Sequence, residues 1–136
     1  MAFEFAHYIN GSTQAREITM VMKDAISVTL GDMVEVDTSE ADFGVSGSTT
    51  LLGVSAESVD NAADGESLKI IDGFNAVFSI VDANARVTGA ALDINGTYDG
   101  VTTDSNSDVV VVEDSTATEK TLVMIRPSVH IFTTAT

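Results

Sequence analysis

The chain has 136 residues, 44% of them hydrophobic and 20% charged, the size of one domain built around one core. It holds no cysteine, which excludes disulfide scaffolds, Cys-ligated zinc and thiol chemistry. Six Lys and Arg against 21 Asp and Glu give a formal charge of −15, which disfavours nucleic acid and anionic membrane, since both are bound through clustered Lys and Arg.

The opening Met1-Ala2-Phe3-Glu4-Phe5 lacks a basic leader region. No apolar run approaches the ~18 residues of a membrane helix, so a soluble, unprocessed chain is expected. Residues 1–16 are expected to form an N-terminal arm, and residues 17–136 a single β domain. Alternating apolar and polar positions then predict strands over Glu17–Lys23, Ile26–Leu30 and Val34–Asp37. Further strands are expected at Leu51–Ala56, Leu68–Ile71, Ala76–Val81, Ala91–Ile94, Val109–Glu113, Leu122–Ile125 and Val129–Phe132. Ser55–Ala63 has room for a turn or two of helix, but too few apolar residues to fix a face. The expected fold is all-β, a small β-barrel, β-tulip-like or sandwich domain of about ten short strands.

Five glycines follow Asn or Asp, at Asn10-Gly11, Asp64-Gly65, Asp72-Gly73, Asn95-Gly96 and Asp99-Gly100. Such dipeptides supply the positive φ of tight hairpins. Four consecutive valines, Val109 to Val112, flanked by Asp108, Glu113 and Asp114, read as a strand buried on both faces or set in a subunit interface. Carboxylates crowd the middle of the chain, whereas Phe5–Arg16 and Thr121–Thr136 contain none. Those two stretches therefore suit contact with a protein partner, or are simply sparse in charge.

Catalytic signals are weak. The only histidines, His7 and His130, lie in no nucleophile or metal motif, so no enzyme is expected. His130 alternates with Val129 and Ile131 and is expected to face solvent or an interface. Asp104-Ser105-Asn106-Ser107-Asp108 begins like a calcium loop, but Val109 replaces its glycine and Ser115 its final acid. A calcium site built from other acidic loops stays open, and no cofactor or metal is expected. Gly44-Val45-Ser46-Gly47-Ser48 lacks the lysine of a phosphate loop, and the sequons at Asn10 and Asn95 carry no weight without a leader. With no Trp and 6% aromatics, stacking platforms for sugars or bases are poorly supplied.

Ile26 to Asp37 contains Gly31-Asp32-Met33-Val34-Glu35-Val36; Leu52-Gly53-Val54 and Leu68 to Ile80, with Gly73 and Val77-Phe78, follow. In this order the segments resemble the capsid decoration, or cement, proteins of tailed bacteriophages, over about the first two-thirds of the chain. The stretch Asp93–Thr118 departs from that pattern. The resemblance implies a β protein on the outer surface of an assembled phage head, a homotrimer that stabilises the shell by bridging major capsid protein subunits. No small-molecule substrate, nucleic acid or membrane is then implied. Contact residues expected on the neutral stretches are Phe3, Phe5, Tyr8, Ile9 and Arg16, then Arg126, His130 and Phe132. A tail, spike or adhesin-type β-module that binds a host surface remains the alternative, with a calcium-dependent structural module behind it.

Overall fold

Short alternating runs separated by turns leave each strand with one apolar face, and two sheets bury those faces against each other. The computed structural model describes residues 2–103 and 106–131. Eleven strands run in the order β1 (Glu4–Tyr8), β2 (Glu17–Val21), β3 (Met33–Asp37), β4 (Glu40–Phe43), β5 (Leu51–Ser55) and β6 (Ser67–Asp72). They continue as β7 (Ala76–Val81), β8 (Ala91–Ile94), β9 (Val101–Thr103), β10 (Val109–Val111) and β11 (Lys120–Ile125). One sheet has the order β1-β7-β11-β10-β8-β9 and the other β2-β6-β5-β3-β4. Every strand pair is antiparallel. The fold is all-β, as expected, and of the sandwich form: the two sheets do not close into a barrel.

The apolar side chains form two clusters. The first joins Phe78, Ile80, Val109, Val111, Val123 and Ile125 of the six-stranded sheet to Met33, Leu51 and Val54 of the other. The second gathers Met22, Val28, Val34, Leu52, Leu68 and Ile70, with Ile18, Ile26, Val59 and Ile131 packed around it. The five-stranded sheet is thus covered by strands on one side and by connecting segments on the other.

Two predicted strands take another form. Around Ile26–Leu30 only Val28 makes a bridge, to Val59, because the alternation there serves burial of Ile26 and Val28 in the second cluster. At Val129–Phe132 the chain forms a 3₁₀ turn over Pro127–Val129 and a single bridge from His130 to Leu51; Pro127 has no N–H to give a ladder. Phe132 lies outside the described residues. No helix forms over Ser55–Ala63. The four valines are not buried on both sides: Val109 and Val111 are in the core, whereas Val110 and Val112 are half-exposed on the outer face.

The N-terminal stretch expected as an arm does not stand free. Glu4–Tyr8 is the edge strand β1, paired with β7. A bulge between Phe5 and His7 shifts the alternation. Phe5 then meets Phe78 edge-on at 6.3 Å, and Tyr8 is buried with Phe3 in the first cluster. A segment with aromatics to bury against an open strand edge gains both area and ladder hydrogen bonds by docking there.

Candidate functional site

A recess of about 290 Å³ opens where the end of β1 meets the turn between β6 and β7, lined by Tyr8, Ile9, Asn10, Arg16, Phe74 and Asn75. Each wall has a local cause. Ile9 donates its N–H to Asn75 O at 2.9 Å, which ties the turn after β1 to the turn before β7. Gly11, at φ +91, lets the chain reverse so that its N–H reaches Tyr8 O at 2.9 Å. The Asp72 carboxylate accepts the Phe74 N–H at 2.9 Å, which fixes the second turn.

Tyr8 is the hinge of the arrangement. Its hydroxyl donates to Asp72 O at 3.1 Å and accepts the Arg16 N–H at 2.9 Å, so the start of β2 is held over the end of β1. The Arg16 guanidinium then lies 4.1 Å from the centre of the Tyr8 ring and 3.6 Å from the Asp72 carboxylate. It also donates to Phe74 O at 3.4 Å. The Tyr8 side chain, ahead of Asp72, holds Arg16 above its ordinary range. Ile9, 59% exposed, stands at the rim beside this cation.

Behind the recess, Phe74 meets the His130 ring edge-on at 5.3 Å. His130 is only 1% exposed, contrary to the expectation that it faces solvent or an interface. Its Nε2 donates to Leu52 O at 2.9 Å and lies 3.8 Å from Asp72 Oδ1. Burial, against the pull of Leu52 and Asp72, lowers its pKa and keeps the ring neutral. It supports the turn from within and touches no open surface.

Tyr8, Ile9, Arg16 and His130, four of the residues expected from the sequence to make contacts, therefore converge on one turn. Phe3 and Phe5 do not join them: Phe3 is 2% exposed in the core and Phe5 packs against the same cluster. Arg126 is half-buried at the end of β11, with its N–H on Asp108 O. Asp72, Phe74 and Asn75 were not anticipated as site residues; the Asp72-Gly73 dipeptide signalled a turn but not what it would meet. The recess offers a cation stacked on an aromatic face, backbone carbonyls and an aliphatic rim. Those groups suit a protein side chain. Among the described residues no group of three or more His, Asp or Glu is placed to hold a metal ion, and no helix is long and apolar enough to cross a membrane.

No protein-family model and no curated protein matches the chain. Among solved structures, the fold is similar to that described as "head fiber gp8.5 N base in bacteriophage phi29". The two are 13% identical, the match covers 83% of this chain and 97% of that one, and the TM-score is 0.54. At that identity the likeness is one of fold.

Proposed function

We propose that this chain is a structural protein of a phage virion. It seats on the outer surface of the assembled head and stabilises the shell by bridging major capsid protein subunits, through contacts and without catalysis. The observation that carries the reading is the fold shared with the base of a phage head fiber over nearly the whole of that base. The charge of −15 supports it, because a protein outside the shell must not compete for the packaged nucleic acid. Many copies, each making modest contacts across adjacent subunits, resist separation of the shell together.

Copies associate as a homotrimer in this reading, through surfaces low in carboxylates, and the recess around Arg16 and Ile9 is one such surface. The test is co-sedimentation of the purified protein with heads that lack it, followed by heating of loaded and bare heads. Binding with better survival of loaded heads supports a cement role, and a folded protein that leaves heads bare refutes it. The head-fiber likeness favours one second reading, a base or host-binding module of a surface appendage. Binding to heads with no gain in survival, or binding to host cells instead, would select it.

A further inference from the structure

In an antiparallel sheet with one face on the core, the other face is normally polar. The six-stranded sheet breaks that pattern at its centre. On β11, Thr121, Val123 and Ile125 are buried, and the alternating Leu122 and Met124 are half-exposed on the other side. Val110 and Val112 take the same side next to them: Val110 is in register with Met124, and the Val112 N–H reaches Leu122 O at 2.9 Å. These four side chains pack in neither core cluster. Val81 on β7, 45% exposed and opposite Lys120, extends the patch. An aliphatic patch on two neighbouring strands, with Val81 at its edge, on an exterior this rich in carboxylates marks a contact surface.

The charges around it select the partner. Lys120, the basic residue at the margin, is paired with Glu4 at 3.6 Å. Beyond Leu122 the patch runs into a recess of about 330 Å³ lined by Glu113, Asp114, Ser115, Glu119 and Lys120. The Asp114 carboxylate is engaged by the N–H and hydroxyl of Thr88, both at 2.8 Å. The exposed Glu113 and Glu119 form no ion pair among the described residues. A second copy, itself at −15, would bring further negative charge toward this recess.

We infer that the outer face of β10 and β11, with Val81 of β7 at its edge, is the surface that meets the shell, and that it receives a segment of the major capsid protein with aliphatic residues followed by Lys or Arg. The aliphatic patch supplies the buried area and the Glu113–Glu119 recess fixes direction. The inference rests on the head-binding reading and names its surface.

The test compares binding of wild type, Leu122→Glu, the double variant Glu113→Lys with Glu119→Lys, and a control, Lys69→Glu, to heads lacking the protein. Leu122→Glu and the double variant should each lose at least about tenfold in affinity, and the control should not. The two perturbations change net charge in opposite directions, so a general charge effect cannot weaken both. Should Leu122→Glu fail to fold, the exposed glutamates carry the test alone. Wild-type-like binding by the folded variants overturns the inference and leaves the head-binding reading standing. Failure of wild type itself to bind overturns that reading, and the inference with it. Sedimentation velocity of the free protein reads the competing occupant: an oligomer dissociated by Leu122→Glu puts a second copy on this face and also overturns the inference.

Discussion

Gly53 is the position at which one methyl group should do most damage. It sits in β5 opposite Asp72 of β6, and a Cβ there would lie 1.9 Å from Ile71 O and 2.8 Å from Gly73 N. Both obstacles are backbone, so no rotamer change relieves them; the strands must part. Parting them strains the Gly73 N–H bond to Leu52 O, 2.9 Å long, and the His130 bond to the same oxygen. It also moves Asp72, on which the Arg16 recess is built. Overpacking that displaces backbone falls at or above the upper end of the usual range, about 3 kcal/mol. With a urea dependence of about 1.5 kcal/mol/M, Gly53→Ala should lower the unfolding midpoint by about 2 M. Gly96→Ala is the control, since a Cβ there meets nothing within 4 Å and its φ is not in the left-handed region. It should move stability by less than about 1 kcal/mol, toward greater stability if the unfolded chain dominates. Urea unfolding followed by far-UV circular dichroism measures both. Equal midpoints for the two variants would refute the claim that close backbone approach at Gly53 sets the β5–β6 contact.

His130→Ala removes a buried ring and should cost about 2–4 kcal/mol at pH 7. Burial lowers the folded pKa of His130, so its neutral form contributes stability above the ordinary histidine range that is lost as pH falls. The gap between wild type and His130→Ala should narrow below pH ~6.5 in thermal unfolding. Asp32 has the opposite sign: burial raises its pKa ahead of the Thr29 N–H bond, so its ionised form costs stability as pH rises through the folded value. Asp32→Asn should therefore melt higher than wild type at pH 7, with the difference vanishing at pH 3 once Asp32 is protonated in both states. Arg16→Gln, which removes the charge without setting a second carboxylate beside Asp72, should lower the melting temperature only slightly, because the Arg16 side chain is 60% exposed, but should weaken association between copies in sedimentation velocity.

Most strands were legible because alternation is a local signal. β2, β3, β5, β6, β7, β8, β10 and β11 all fall on runs picked from apolar spacing, with ends shifted by a residue or two. β1, β4 and the three-residue β9 have no such run, and the first two have plain physical reasons. In β1 the bulge between Phe5 and His7 resets the period, so no single alternation fits Phe3 to Ile9. β4 carries Glu40, Asp42 and only one large apolar residue, and its hairpin with β3 turns on Thr38 and Ser39, at φ 49 and 66. Thr-Ser is not a recognised signal for two left-handed residues, whereas Asn-Gly is. Only two of the five Asn-Gly and Asp-Gly dipeptides carry the left-handed glycine they predict. Gly11 and Gly65 do take positive φ, but Gly73, Gly96 and Gly100 do not, and the left-handed positions nearby are Asn75 and Tyr98. Gly73 is needed for space: a Cβ there would lie 2.7 Å from Ile125 Cδ1 and 3.0 Å from Gly53 Cα. Half of the Arg16 site was legible, because its cation and rim lie on one neutral stretch. Its other half was not, since Tyr8 meets Asp72 across 64 residues of sequence, brought together by the β1–β7 and β2–β6 pairings.

The acidic composition has a structural origin that the net charge conceals. The described residues hold strands joined by many irregular connections, and every buried N–H in those connections needs an acceptor. Aspartate supplies it repeatedly. Asp108, 0% exposed, takes the Gly47 N–H with one oxygen and the Ile94 N–H with the other, both at 2.9 Å, so it ties the connection before β5 to the end of β8. Asp93 takes the N–H groups of Asn106 and Ser107, Asp32 that of Thr29, and Asp72 that of Phe74. Asp82 is paired with Arg86 inside the same kind of loop. Carboxylates recruited for loop order leave the folded chain strongly negative whatever its partner. That charge in turn limits where another macromolecule can approach. The aliphatic face of β10 and β11 and the Arg16 recess are two surfaces where it is locally weak, and at the first of them a basic partner is the one for which the marginal carboxylates Glu113 and Glu119 become attractive.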